Sequence, residues 1–188
     1  SWDELIQLSD TIASGSQTPD FPWSVGVEAG QASGFPGTDW IAQIFLGEFG
    51  GDVYDQWVNH EIPWTDPRVK AAWEKFGRIV HTEGYIPGGA TTALSTNFQD
   101  ASYLPFQDPP QAAMYYEGDF VQGFLAAQFP DQVAGQDYAF FAFPPVNPAG
   151  AAPAASPGAP GASPPAGPTM QAPGASPPAV PSPGASPA

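Results

Sequence analysis

Apolar residues recur at helical spacing through most of the first 148 residues and gather into three short runs between those stretches. Ser1 and Glu4 have the spacing of a capping box, and Leu5, Leu8 and Ile12 continue one helical face to about Ala13, where Gly15 ends it. Residues 23–27 (WSVGV) alternate in part and predict a strand with Glu28 at its end. A glycine-rich loop follows, with Gly30, Gly34 and Gly37 around Ser33 and Phe35, and Thr38 is the expected N-cap of a helix from Asp39 to about Glu48. Trp40, Ile44 and Phe45 form that helix's buried stripe, and Gly50-Gly51 break it. A short helix is predicted from Asp52 through Val58. Thr65-Asp66-Pro67 starts a longer one, with Thr65 supplying the capping hydroxyl and Val69, Trp73, Phe76 and Val80 the apolar stripe, ended by Gly84.

Beyond that helix the pattern is more broken. Residues 85–98 read as a turn-rich crossover that flexes at Gly88-Gly89. Residues 99–106 predict a short helix and residues 112–116 a buried strand. Glu117-Gly118-Asp119 then repeats the earlier order of strand, acid, glycine and N-cap before a helix from Phe120 to about Phe129. Residues 138–143 are the third apolar run and predict another strand. Helices interleaved with short strands predict an α/β layer, with helices packed on a short-stranded sheet.

Composition divides this picture in two. Residues 149–188 contain no charge and no aromatic; 12 Pro, 13 Ala, 6 Gly and 5 Ser leave four other residues. Such a segment has too little apolar surface to offset chain entropy, so a disordered tail of polyproline character is expected. The heptad PGASPPA occurs at 160–166 and 173–179, without the glycine period of collagen. The folding domain is therefore expected over 1–148, which holds all 19 acids and 4 bases. A net charge of −15 repels a phosphate backbone and excludes nucleic acid as a partner. Cysteine is absent, which excludes disulfides and thiolate metal sites.

Charge and aromatics converge on two places. An exposed strand end, a permissive loop and a helix N-terminus together make a common ligand position in an α/β layer. Glu28, Phe35, Asp39 and Trp40 stand there as the lining of a polar and aromatic cleft; the alternative has Trp40 in the core, Phe35 plugging the loop and Glu28 solvated. If the strands before Glu28 and Glu117 are parallel neighbours, both acids lie at one rim, with Phe120 either beside them or in the core. No phosphate-binding loop, dinucleotide fingerprint, HExxH or G-x-S-x-G motif is present. His60 and His81 lack metal-ligand spacing, and no acid pair stands out among 19, so neither a metal site, a cofactor nor a catalytic residue is expected. Carboxylates that bond hydroxyls, beside aromatic faces that stack on sugar rings, predict recognition rather than catalysis.

The runs PWSVGVEAGQASGFPGTDWIAQIFL, YDQWVNHEIPWTDPRVKAAWEKFG and FQDPPQAAMYYEGDF, with the closing FAFPPV, resemble the extracellular solute-binding proteins of carbohydrate ABC importers. The similarity is to the α-glucoside and oligosaccharide group, relatives of maltose-binding protein, and spans roughly residues 1–147. It implies a partial periplasmic-binding-protein-like fold: most of a second lobe, with the first lobe, signal peptide and lipid-anchor cysteine outside this sequence. It further implies a sugar ligand, permease subunits and the first lobe as partners, and an extracytoplasmic location. By motif, Glu28 and its loop fall where the second lobe meets sugar hydroxyls, Phe120 near a ring-stacking aromatic, and Gly88-Gly89 in a ligand-proximal loop, while residues 143–146 lead toward the hinge. A truncated homologue acting as a structural or surface-associated subunit is the alternative.

Overall fold

Ser1 caps the first helix as its spacing predicts: its hydroxyl accepts from the Glu4 amide, and the Glu4 carboxylate reaches back to the Ser1 amine at 2.6 Å. The computed structural model describes residues 1–15 and 18–146; the expected tail over 149–188, and with it the end of the folding domain at 148, lies outside the described residues. In chain order the elements are α1 (Trp2–Ser14), β1 (Trp23–Ser24), α2 (Phe35–Phe49), α3 (Gly51–Val58), α4 (Pro67–Val80), α5 (Gly89–Ser95), α6 (Phe98–Tyr103), β2 (Met114–Tyr115) and α7 (Val121–Gln128). The fold is mixed α/β, with seven helices and one small parallel sheet among the described residues. None of those helices is long and apolar enough to cross a membrane.

The sheet pairs Trp23 with Met114 and Ser24 with Tyr115. β1 stops at Ser24, short of the strand expected over 23–27, because the backbone then turns to other partners: the Val27 amide donates to the Ala93 carbonyl and the Glu28 amide to Thr96. β2 is likewise only two residues long and half-buried rather than buried. Residues 138–143 form no strand of the sheet; Phe140 is 95% exposed, Tyr138 packs on Phe106, and Phe143 turns inward against Trp2, Trp40 and Tyr116.

The core is centred on Trp40, packed between helices and sheet. Its ring meets Trp23 edge-on at 5.3 Å, stacks on Phe76 at 5.5 Å and tilts against Tyr116 at 4.7 Å. Ile41, Ile44 and Phe45 continue this face of α2, toward Val69, Ala72, Phe76 and Ile79 of α4. On α4 the buried stripe thus runs 69, 72, 76, 79, and the expected Trp73 is half-exposed on the adjoining face. On α1 it is Trp2, Leu5 and Ser9 that are buried, not Leu8. Ser9 is tolerated there because its hydroxyl accepts from the Trp23 indole at 2.9 Å and donates to the Leu5 carbonyl at 2.8 Å, which leaves neither the hydroxyl nor the indole N–H unpaired.

Two helix starts also move. Asp66, not Thr65, caps α4: it accepts from the Arg68 amide and holds the Arg68 guanidinium at 2.9 Å, contacts that keep its carboxyl low, at about 2. The crossover over 85–98 contains α5, entered through Gly88 and Gly89 with φ of 72° and 71°.

Candidate functional site

Glu28 is held where β1 has left the sheet and runs beside the junction of α5 and α6. Gly26 permits that approach, since a Cβ there would sit 2.8 Å from the Ala101 Cβ and from the carbonyls of Thr96 and Asn97. The Glu28 amide and carbonyl bracket Asn97 in a parallel bridge, bonded to the Thr96 carbonyl and the Phe98 amide. Its carboxylate is bound from two sides, by the Asn97 side-chain amide at 2.7 Å and the Gly30 amide at 2.6 Å. Those bonds, Asn97 first, hold the carboxyl below the usual range. Each oxygen thereby uses one acceptor position and keeps another for an outside donor.

The loop after Glu28 makes a 3-10 turn at Gly30–Ala32 and ends at Gly34. With φ of 100°, Gly34 adopts a left-handed conformation that a side chain would disfavour, and its amide donates to the Val27 carbonyl at 2.8 Å. α2 therefore begins one turn earlier than the Thr38 cap predicts, with Phe35-Pro36 as its opening pair. This early start carries Phe35 onto Phe98, with ring centroids 5.1 Å apart and near-perpendicular planes. Phe120 completes a triangle, 6.4 Å from Phe35 and 6.2 Å from Phe98, and Phe124 flanks it at 6.1 Å. Phe120 is 46% exposed and the other three are half-buried, so the cluster presents a ring to solvent instead of closing as a core.

Parallel pairing of β1 with β2 brings Glu117 to the same end of the sheet as Glu28. Asp39, one turn into α2, faces the Glu117 carboxyl, beside the contact of Trp40 with Tyr116. Burial above all, then the Asp39 charge, pushes Glu117 up to about 7. Burial likewise raises Tyr116 to about 12, and raises Tyr115, whose hydroxyl donates to the Phe98 carbonyl at 2.8 Å.

Of the residues the sequence singles out, Phe35 and Phe120 meet directly, Asp39 and Glu117 meet directly, and Glu28 joins them through Asn97 and Phe98. Trp40 belongs to the core at 2% exposure. Gly88 stands apart, at the opposite end of α5 from the Glu28–Asn97 bridge, about 10 Å along the helix at 1.5 Å per residue. Sequence reasoning missed Asn97, Phe98 and Phe124. Asn97 is a readable N-cap, its side chain accepting from the Gln99 amide, and placing α6 one residue earlier would have put Phe98 at its start. A hollow of about 150 Å³ lies on another face of α7, lined by Phe106, Leu125, Phe129 and Tyr138 among others. It is smaller than the several hundred Å³ typical of ligand sites and touches none of the clustered acids.

No protein-family model matches the chain, and no solved structure does. Two curated proteins are similar to it. The osmoprotective compounds-binding protein GgtB of Synechocystis sp. is 38% identical over 147 residues, 78% of this chain and 33% of that protein. The alpha-glucosides-binding periplasmic protein AglE of Rhizobium meliloti is 35% identical over 144 residues, 76% of this chain and 30% of that protein. The chain thus spans about a third of the length of these relatives, both of which are named for binding. Over that third, the chain is a homologue of solute-binding proteins, the group its motifs resemble.

Proposed function

We propose that this chain supplies one wall of a sugar-binding cleft in a solute-binding protein of an ABC importer, at the extracytoplasmic face of a membrane. The observation that carries the reading is the half-exposed Phe120, set in a cluster with Phe35 and Phe98 and flanked by Glu28 and the Asp39–Glu117 pair. A sugar ring stacks its apolar face on Phe120, and its hydroxyls donate to the free acceptor positions of Glu28 and to the more accessible Asp39 of the pair, with Glu117 behind it. Of the two relatives, one is named for binding alpha-glucosides and the other for osmoprotective compounds, and the first name supports α-glucosides as the ligand class. Binding without turnover is the expected activity. The opposing wall comes from the rest of such a protein, and permease subunits receive the loaded form. One wall leaves the ligand half in water, so the 188-residue chain binds α-linked di- and trisaccharides weakly, with Kd on the order of millimolar.

Calorimetric titration of the full chain with a panel of α- and β-linked glucosides tests this. Saturable binding of α-glucosides that Phe120→Ala weakens by about 30-fold or more, with the fold intact by circular dichroism, supports the reading. Binding undiminished by Phe120→Ala, or hydrolysis of the titrant, overturns it.

A further inference from the structure

Every cation of the chain is paired away from Glu117. The sequence has four Lys and Arg residues, and these meet Asp66, Glu74, Glu48 and Asp10 respectively as Arg68, Lys70, Lys75 and Arg78, while the terminal amine meets Glu4. Both Glu117 oxygens are nevertheless out of solvent and without a donor. The charged and titratable groups facing Glu117 are Asp39 from α2 and Tyr115 and Tyr116 from its own strand. The Tyr115 hydroxyl is engaged with the Phe98 carbonyl. Two ionised carboxylates give each other no donor, so the ionised pair is both unsatisfied and repulsive. One proton placed between them cures both faults: the protonated carboxyl donates to the other, and one charge disappears.

We propose that Asp39 and Glu117 form a proton-sharing carboxyl pair that fastens the end of β2 to the first turns of α2 and releases that seam as pH rises. The seam adjoins the Trp40–Tyr116 contact on its inner side and leads through Gly118 to Phe120, whose ring lies 3.0 Å from where a Gly118 Cβ would be. Loss of the proton therefore loosens residues 117–120 and lets water reach the pair. The inference concerns the chain's own fold and stands whether or not the rim takes a sugar.

The direction follows from linkage. The folded chain holds this proton to about 7, whereas an unfolded glutamate releases it near its ordinary value. The stabilisation is full below the unfolded pKa and is lost as pH rises toward about 7. The test is carboxyl carbon NMR of the full chain through a pH titration, with thermal unfolding of the wild type, Glu117→Gln and Asp39→Asn. Glu117 is expected to titrate with a midpoint near 7, shifted down by Asp39→Asn. The amide of Glu117→Gln donates to Asp39 at every pH. Its melting temperature should therefore gain on that of the wild type by about 3 °C or more between pH of about 5 and about 8. A Glu117 midpoint in the ordinary carboxylate range, or a constant difference in melting temperature between wild type and Glu117→Gln across that interval, overturns the proposal. If Glu117→Gln fails to fold, the Glu117 midpoint in the wild type and in Asp39→Asn decides alone.

Discussion

Two aromatic clusters lie within one helix of each other, and they differ in what surrounds them. Around Trp40 the rings of Trp23, Phe76 and Tyr116 close on all sides, and Trp40 keeps 2% of its surface. Phe120 also has three rings around it, Phe35, Phe98 and Phe124, but they stand farther off, at 6.1 to 6.4 Å, and Phe120 keeps 46%. The first cluster is lined by aliphatic residues of α2 and α4, with the Asp39–Glu117 pair at its Tyr116 edge; the second is bordered by Glu28, held beside Phe98 by Asn97. Aromatic density alone therefore does not separate core from binding surface. What separates them is whether neighbours close over the rings on every side, as at Trp40, or leave one ring open to solvent, as at Phe120.

Substitutions should divide along this line. Trp40→Ala removes the ring that joins α2, α4 and the sheet, and is expected to cost about 3–5 kcal/mol in urea unfolding. A loss under about 1 kcal/mol would place the core elsewhere. Gly26→Ala drives a methyl into two backbone carbonyls and Ala101, and should cost about 1–3 kcal/mol without touching any ring. Phe120→Ala should instead cost only about 1 kcal/mol of stability, because half of that side chain is already in water, while α-glucoside affinity falls by about 2 kcal/mol. If stability falls by several kcal/mol and affinity holds, Phe120 is core and the contrast between the clusters collapses. At the small end, Lys70→Ala breaks the exposed pair with Glu74 on α4 and should change stability by less than about 0.5 kcal/mol.

The rim acids respond to pH with opposite signs. Glu28 is held below its ordinary value by Asn97 and Gly30, so its contribution is present above the unfolded carboxylate pKa and is lost as pH falls through the folded one. Glu117 is held above its ordinary value, so its contribution is lost on the other side, as pH rises toward about 7. Stability curves of Glu28→Gln and Glu117→Gln should therefore both part from the wild type as pH rises through the carboxylate range, Glu28→Gln falling below it and Glu117→Gln rising above it. Deviations of the same sign would contradict the contrast between a satisfied and an orphaned carboxylate.

Much of this was legible in the chain itself, and the misses have physical causes. The capping box at Ser1 and the glycine stops at Gly15 and Gly50 are local, so spacing alone located them. The placing of Glu28 and Glu117 at one sheet end was conditional on parallel pairing, which only the Trp23–Met114 register supplies. Strand length over 23–27 was overestimated because Gly26 redirects the backbone against Ala101, a contact 75 residues away that no local pattern reveals. On α4, Trp73 fits the helical stripe as well as Ala72 does, and hydrophobicity favours the larger residue; tertiary packing chose the smaller one because α2 lies close. Gly88, which the resemblance puts in a ligand-proximal loop, lies at the far end of α5 from Asn97, a separation that no local pattern reveals.

The central claim is that the face carrying Glu28, Phe35, Glu117 and Phe120 meets the ligand. Amide and aromatic NMR shifts of the full chain, followed during titration with an α-linked disaccharide, test it residue by residue. The account predicts saturable shifts concentrated at residues 28–35, 97–98 and 117–124, with the Trp40 indole and α4 unmoved. Saturable shifts confined to Phe106, Phe129 and Tyr138 around the hollow behind α7, or no shifts while the same titrant is bound by an α-glucoside-binding relative, would contradict it.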